Sequence, residues 1–107
     1  MKEMKIGNER EKKLEELEQI TESLKALTHP VRIRILQELK TGKKCVGELA
    51  ERIGVAQANL SQHLNLLRNY GWINREKKAL YVYYSLSDKN ISPVLRRILE
   101  IVDKFFK

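Results

Sequence analysis

From Gln57 to Asn69 the chain reads QANLSQHLNLLRN, with Arg68 its one charged side chain. Placed on a helix at about 100° per residue, Leu60, Leu64 and Leu67 gather on one side. Ala58, Gln62, Asn65 and Asn69 fall opposite, with Ser61 at the edge. A helix face turned only to water usually carries Lys and Glu. This one carries amides and a hydroxyl, which both donate and accept hydrogen bonds. Groups of that kind suit the base edges in the major groove of a DNA duplex. Gln57 stands at the N-terminal end, where backbone N–H groups can meet a phosphate and where side chains reach bases in helix-turn-helix docking. Arg75, Lys77 and Lys78 follow shortly afterwards. They would touch phosphate or a minor groove; the plainer reading is a solubilising turn, since Lys is common on exposed hairpins.

The other reactive side chains are few. Cys45 is the one cysteine, so an intrachain disulfide is excluded, which fits a reducing, cytoplasmic setting. It occupies a helix N-cap position three residues before Glu48 and beside Lys43 and Lys44, surroundings that make a thiol more reactive. It is the candidate sensor thiol, for a redox or small-molecule effector; otherwise it is a small buried or capping residue. A single thiol is a poor start for a metal site, and no metal or cofactor is expected. His63 borders the Leu60/Leu64/Leu67 side and reads as a half-buried helix histidine. His29, before Pro30, reads as a cap. There is no carboxylate pair, nucleophile with a base, or Gly-rich phosphate loop, so no enzyme is expected.

The elements that would position these residues follow from periodicity. Asn8 followed by Glu11 resembles a capping box, and Leu14, Leu17, Ile20, Leu24 and Leu27 then recur every three or four residues. That predicts a helix over 9–27 with one apolar stripe, preceded by a flexible segment at 1–8. Pro30 suits the first turn of a second helix, which Gly42 ends. CVGELAERIG at 45–54 is a third, and Gly54 sits where a left-handed residue closes a helix. Two helices joined by a short Gly-containing turn make a helix-turn-helix over 46–70. The apolar period then drops to two, and 72–86 reads as a hairpin with EKKA (76–79) at its tip. Asp88 or Ser92 would cap a last helix over 90–106. Its apolar residues, among them Val94, Ile98, Ile101, Val102 and Phe105, exceed what one core-facing stripe needs. The surplus, with Leu14, Leu17 and Leu24 of the first helix, predicts a dimer interface.

The totals agree. The 107 residues suit one domain with a modest core. The net charge is +7, which favours a polyanionic partner. Residues 1–24 hold five basic and seven acidic side chains, whereas 29–84 hold ten basic and four acidic, so the excess sits around the polar helix. No apolar run approaches the ~20 residues of a membrane span, and the first residues lack the apolar core of a signal peptide. The expected fold is mainly α with a β-hairpin wing: helix–helix–helix–helix–hairpin–helix, a single winged helix-turn-helix domain that dimerises through its first and last helices.

Three segments, ALTHPVRIRILQEL (26–39), CVGELAERIGVAQANLSQHLNLLRNYGWI (45–73) and YVYYSL (81–86), together resemble the ArsR-type, SmtB-like family of winged-helix repressors. The resemblance implies a homodimer bound to an inverted repeat near its own promoter. It implies DNA contacts at Gln57, Ala58, Ser61 and Gln62, with a wing at 75–80. The chain departs from the family pattern in places. CVG replaces the Cys-Val-Cys of metal-sensing members, the last helix has no His, Ala56 stands where a Ser cap is frequent, and Ala79 and Leu80 replace a Gly-basic pair. The expected function is therefore a DNA-binding transcriptional regulator, a repressor, without a metal site. The alternatives are a thiol- or metal-responsive switch using Cys45, a protein–protein adaptor that does not bind DNA, and a membrane-surface role for the last helix. Double-stranded DNA and a second copy of the chain are the expected partners, and a membrane is not.

Overall fold

His29 and Pro30 set the start of the second helix as the sequence predicts. The Val31 N–H donates to His29 Nδ1 at 3.1 Å, which satisfies one of the donors a helix start leaves open. In this computed structural model, which describes residues 2–87 and 93–105, the order is α1 (Lys2–Lys25), α2 (Pro30–Leu39), β1 (Lys44–Cys45), α3 (Val46–Ile53), α4 (Gln57–Asn69), β2 (Ile73–Lys78), β3 (Tyr81–Leu86) and α5 (Pro93–Phe105). The strands form one antiparallel sheet in the order β1-β3-β2.

The α3–α4 turn is made by Gly54. Its φ of 82° is the left-handed region that side chains with a Cβ rarely occupy. The N–H groups of Gly54 and Val55 both donate to Ala50 O, closing α3 and redirecting the chain into α4. Leu60, Leu64 and Leu67 are fully buried, in a cluster with Ile35, Leu36 and Leu39 of α2, Leu49 of α3, and Trp72, Ile73 and Tyr84 of the hairpin. Leu99 brings α5 onto the same cluster. Asp103 holds it there by accepting from Gln37 Nε2 at 2.7 Å and Lys40 Nζ at 2.9 Å.

Three expectations are corrected. First, α1 begins at Lys2, so Asn8 lies inside the helix and caps nothing at its start. The Lys/Glu-rich segment is a good helix former that carries on through Gly7, and the capping pattern at 8–11 marks no boundary. The segment 1–8 expected to be flexible is thus helical from Lys2 onward. Second, the hairpin turns at Ala79–Leu80 and not over EKKA, because Lys78 pairs with Tyr81. Glu76, Lys77 and Lys78 are strand residues. As an edge strand β2 tolerates such a charged sequence, and charge there discourages pairing with other chains. Third, a short strand that periodicity does not reveal, β1, pairs Lys44 with Tyr84 and Cys45 with Tyr83. The expected caps of the last helix, Asp88 and Ser92, lie outside the described residues.

α1 differs from the other helices. Among the described residues, only its end is tied down, by the Trp72 indole N–H donating to Ser23 O at 2.8 Å and by Tyr70 Oη donating to Glu22. Leu14, Leu17, Ile20 and Leu24 remain 61, 57, 55 and 39% exposed. On α5, Ile101 is exposed, and Ile98 and Val102 are half-buried. The side chains of Val94 and Phe105 lie outside the described residues.

Candidate nucleic-acid interface

With its leucine side buried, α4 turns Gln57, Ala58, Ser61, Gln62 and Asn65 outward, and all five are exposed. Gln62 and Asn65 make no side-chain hydrogen bond to any described residue, so their amides are available to a ligand. Ser61 Oγ donates to Gln57 O at 3.2 Å, which uses its proton inside the helix and leaves its lone pairs facing out. Ala56 is the N-cap and makes no side-chain bond. Its carbonyl accepts from the N–H groups of Asn59 and Leu60. The N–H groups of Gln57 and Ala58 at the helix start are left open, and the positive end of the helix dipole favours an anion there.

His63 is half-buried, as the sequence predicts. Its ring lies 4.4 Å from that of His29, centroid to centroid. Burial pushes its pKa down, and the nearby His29 and Arg32 push it further the same way. All three effects favour the neutral form of the ring in the fold. Glu38 on α2 joins the helix-turn-helix to the body. It accepts from Arg52 Nε at 2.6 Å and from Arg34 at 3.1 Å, and the Arg52 guanidinium is the largest cause holding its carboxyl below the usual range.

The wing residues sit differently from their expected place at a tip. Arg75 is in mid-strand opposite Tyr84, and Lys77 lies opposite Val82. Only Lys78 adjoins the turn, where it pairs with Glu76 at 3.6 Å. All three are exposed. Ala79 takes a φ of 54°, the reason a Gly is usual at such a turn, and Leu80 beyond it is 92% exposed. Tyr81 and Tyr83 share one face, with ring centroids 6.4 Å apart, and Tyr84 is buried on the other.

Cys45 is half-buried and caps α3 without a side-chain hydrogen bond. The two lysines expected to activate it are engaged elsewhere. Lys43 Nζ lies 5.3 Å from the Tyr83 ring centroid, a cation–π distance. Lys44 is buried and donates to Glu38 O, Thr41 Oγ1 and Gly42 O, which caps the end of α2. This role of Lys44 has no signal in the sequence, since its partners depend on the turn that β1 completes. Among the described residues, no three His, Cys, Asp or Glu side chains come together in a way that could hold a metal ion. No described helix is long and apolar enough to cross a membrane.

Comparison with known proteins agrees with this geometry. The family described as "Bacterial regulatory protein, arsR family" matches residues 29–75, from the α2 cap into β2. The arsenical resistance operon repressor of Bacillus subtilis is 37% identical over 86 residues, 79% of this chain and 82% of that protein. The transcriptional activator HlyU of Vibrio cholerae is 39% identical over 72 residues, 67% of each chain. The crystal structure of the transcriptional repressor BigR from Xylella fastidiosa superposes with a TM-score of 0.77 at 30% identity, covering 92% of this chain and 97% of that one. With its helix-turn-helix, charged wing and flanking helices matched along most of the length of such relatives, the chain belongs to the ArsR family of bacterial regulatory proteins.

Proposed function

We propose that a homodimer of this chain is a sequence-specific DNA-binding transcriptional repressor that recognises an inverted-repeat operator. The observation that carries the reading is the outer face of α4: exposed amides and a hydroxyl on a helix locked to the core by three fully buried leucines. Gln57, Ala58, Ser61, Gln62 and Asn65 read base edges in the major groove. Arg75, Lys77 and Lys78 of β2 hold phosphates beside it. The uncovered stripe of α1, with Ile98, Ile101 and Val102 of α5, forms the two-fold interface; Val94 and Phe105 belong to the same reading. The symmetry sets two copies of α4 about 34 Å apart on one face of the duplex. Repression follows from occupancy: the dimer covers promoter DNA, and no chemical step is required.

The test is binding to the DNA upstream of the protein's own gene, with a salt titration and a reporter read in parallel. Wild type should bind a discrete inverted repeat and lower reporter output. A Ser61→Ala/Gln62→Ala variant should lose site preference and keep the salt slope. Lys77→Ala/Lys78→Ala should keep the preference and reduce the slope by about one for each phosphate no longer neutralised. Weak, sequence-blind binding that is unchanged in the α4 variant would reduce the interaction to general polyanion attraction. A rise in reporter output would make the protein an activator.

A further inference from the structure

Gly47 has no backbone reason to be glycine. Gly42, Gly54 and Gly71 all have positive φ, whereas Gly47 lies inside α3 with φ outside that region. At such a position Ala is the better helix former. What sets Gly47 apart is its neighbour. A Cβ built there would stand 3.3 Å from Nε2 of Gln57, while at Gly42 and Gly54 it would meet nothing within 4 Å. Separations that short are tighter than ordinary van der Waals contact, and the atom in the way is the end of a flexible side chain. The fold could therefore accept a methyl group at 47, but the Gln57 amide would have to move. Gln57 is the first residue of α4, at the end of the helix that the DNA-binding reading places against bases.

We infer that Gly47 is a positioning residue: its missing side chain seats the Gln57 amide against α3 and thereby fixes which base edge that amide meets. The inference rests on the proposed DNA-binding function. Gly47 touches no base and acts through Gln57 alone. A methyl group at 47 makes the amide give way by a few tenths of an ångström, changing selectivity at the base pair read by Gln57 and leaving the rest of the recognition face as it was. Helix stability and base selectivity thus pull in opposite directions at this position.

The experiment takes a duplex selected by the wild-type protein from a randomised DNA pool. It then titrates that duplex and its single-base variants with wild type, Gly47→Ala, Gln57→Ala and the double variant. Gly47→Ala should melt at or above the wild-type temperature and keep the wild-type salt slope. It should lose about fivefold in discrimination at the same base pair that Gln57→Ala affects, a part of what one bidentate amide pairing contributes. The double variant should match Gln57→Ala rather than show the sum of both losses. In the free protein, Gly47→Ala should move the side-chain amide resonances of Gln57 more than those of Gln62. A Gly47→Ala protein with wild-type discrimination, or with losses that add to those of Gln57→Ala, overturns the inference. So do Gln57 amide resonances that stay in place, and this readout needs no DNA. If the resonances move but the wild-type protein selects no sequence, then it is the DNA-binding reading that has failed, and the selectivity role falls with it while the packing of Gln57 on Gly47 stands.

Discussion

α1 and α4 carry the same signature, leucine-type residues every three or four positions on one side, and they do opposite things with it. Leu60, Leu64 and Leu67 of α4 are fully buried, while Leu14, Leu17, Ile20 and Leu24 of α1 stay 39–61% exposed. Periodicity tells which side of a helix seeks apolar company; the company itself is set by topology. α4 is preceded by a Gly54 turn that folds it back onto α2 and α3. α1 is held only at its last turn and, among the described residues, has no partner helix along most of its stripe, which is the space that the proposed second copy fills.

The contrast can be broken by mutation. Leu64→Ala should cost about 3 kcal/mol of folding stability in urea titrations, by leaving a cavity in a fully packed site. Leu17→Ala, at a dilution that keeps chains apart, should change folding stability by less than about 0.5 kcal/mol. Equal losses at the two positions would mean that α1 packs on its own chain in solution. Leu17→Glu should raise the dimer dissociation constant about thirtyfold in analytical ultracentrifugation, the effect of losing one strong interface residue. Its helical circular dichroism should be retained. A Leu17→Glu protein that sediments as wild type would remove α1 from the interface.

A second pair sharpens the lesson at smaller scale: the left-handed turns at Gly54 and Ala79. Gly54 takes its φ without steric cost, but Ala79 at 54° does not. Ala79→Gly should therefore raise stability, by at most about 1 kcal/mol, whereas Gly54→Ala should lower it. The smallest effect is one of pH. The pKa of His63 lies below the ordinary histidine value in the fold, so the unfolded chain binds the proton more readily. Its contribution is intact above about pH 6.5 and is lost as pH falls from there toward the folded-state pKa. The melting temperature should decline over that window, and His63→Gln should flatten the decline. Lys25 and Glu22, which pair in the open on α1, supply no comparable dependence there. An unchanged decline in the variant would assign it to other groups.

Much of this is legible in the residues. The α2 cap at His29, the Gly54 turn, the inward and outward sides of α4, and the apolar stripe of α1 all come from spacing and side-chain type. The rest depends on neighbours distant in sequence. A two-residue strand such as β1 exists only because β3 supplies its hydrogen bonds, and Lys44 finds its three oxygens only once that strand has formed. The wing turn is hard to place because a run of charge reads as loop, whereas an edge strand exposes charge with its backbone still paired to β3. The start of α1 is hidden for a related reason: Asn8 looks like an N-cap, but the helix already runs through it from Lys2. The approach of Gln57 to Gly47 crosses the helix-turn-helix and leaves no periodic trace.

The near absence of charge on the exposed side of α4 has a kinetic consequence. On the proposed DNA-binding reading, long-range attraction to the polyanion comes from Arg75, Lys77 and Lys78 and from the general basic excess, and these accelerate encounter. In the same proposed reading, the uncharged amides of Gln57, Gln62 and Asn65 exert no such pull and act only at close range, by lengthening residence on the right sequence. Arrival and retention are thus assigned to different elements. If the proposal holds, a change in β2 should alter how often the protein lands on DNA, and a change in α4 how long it stays.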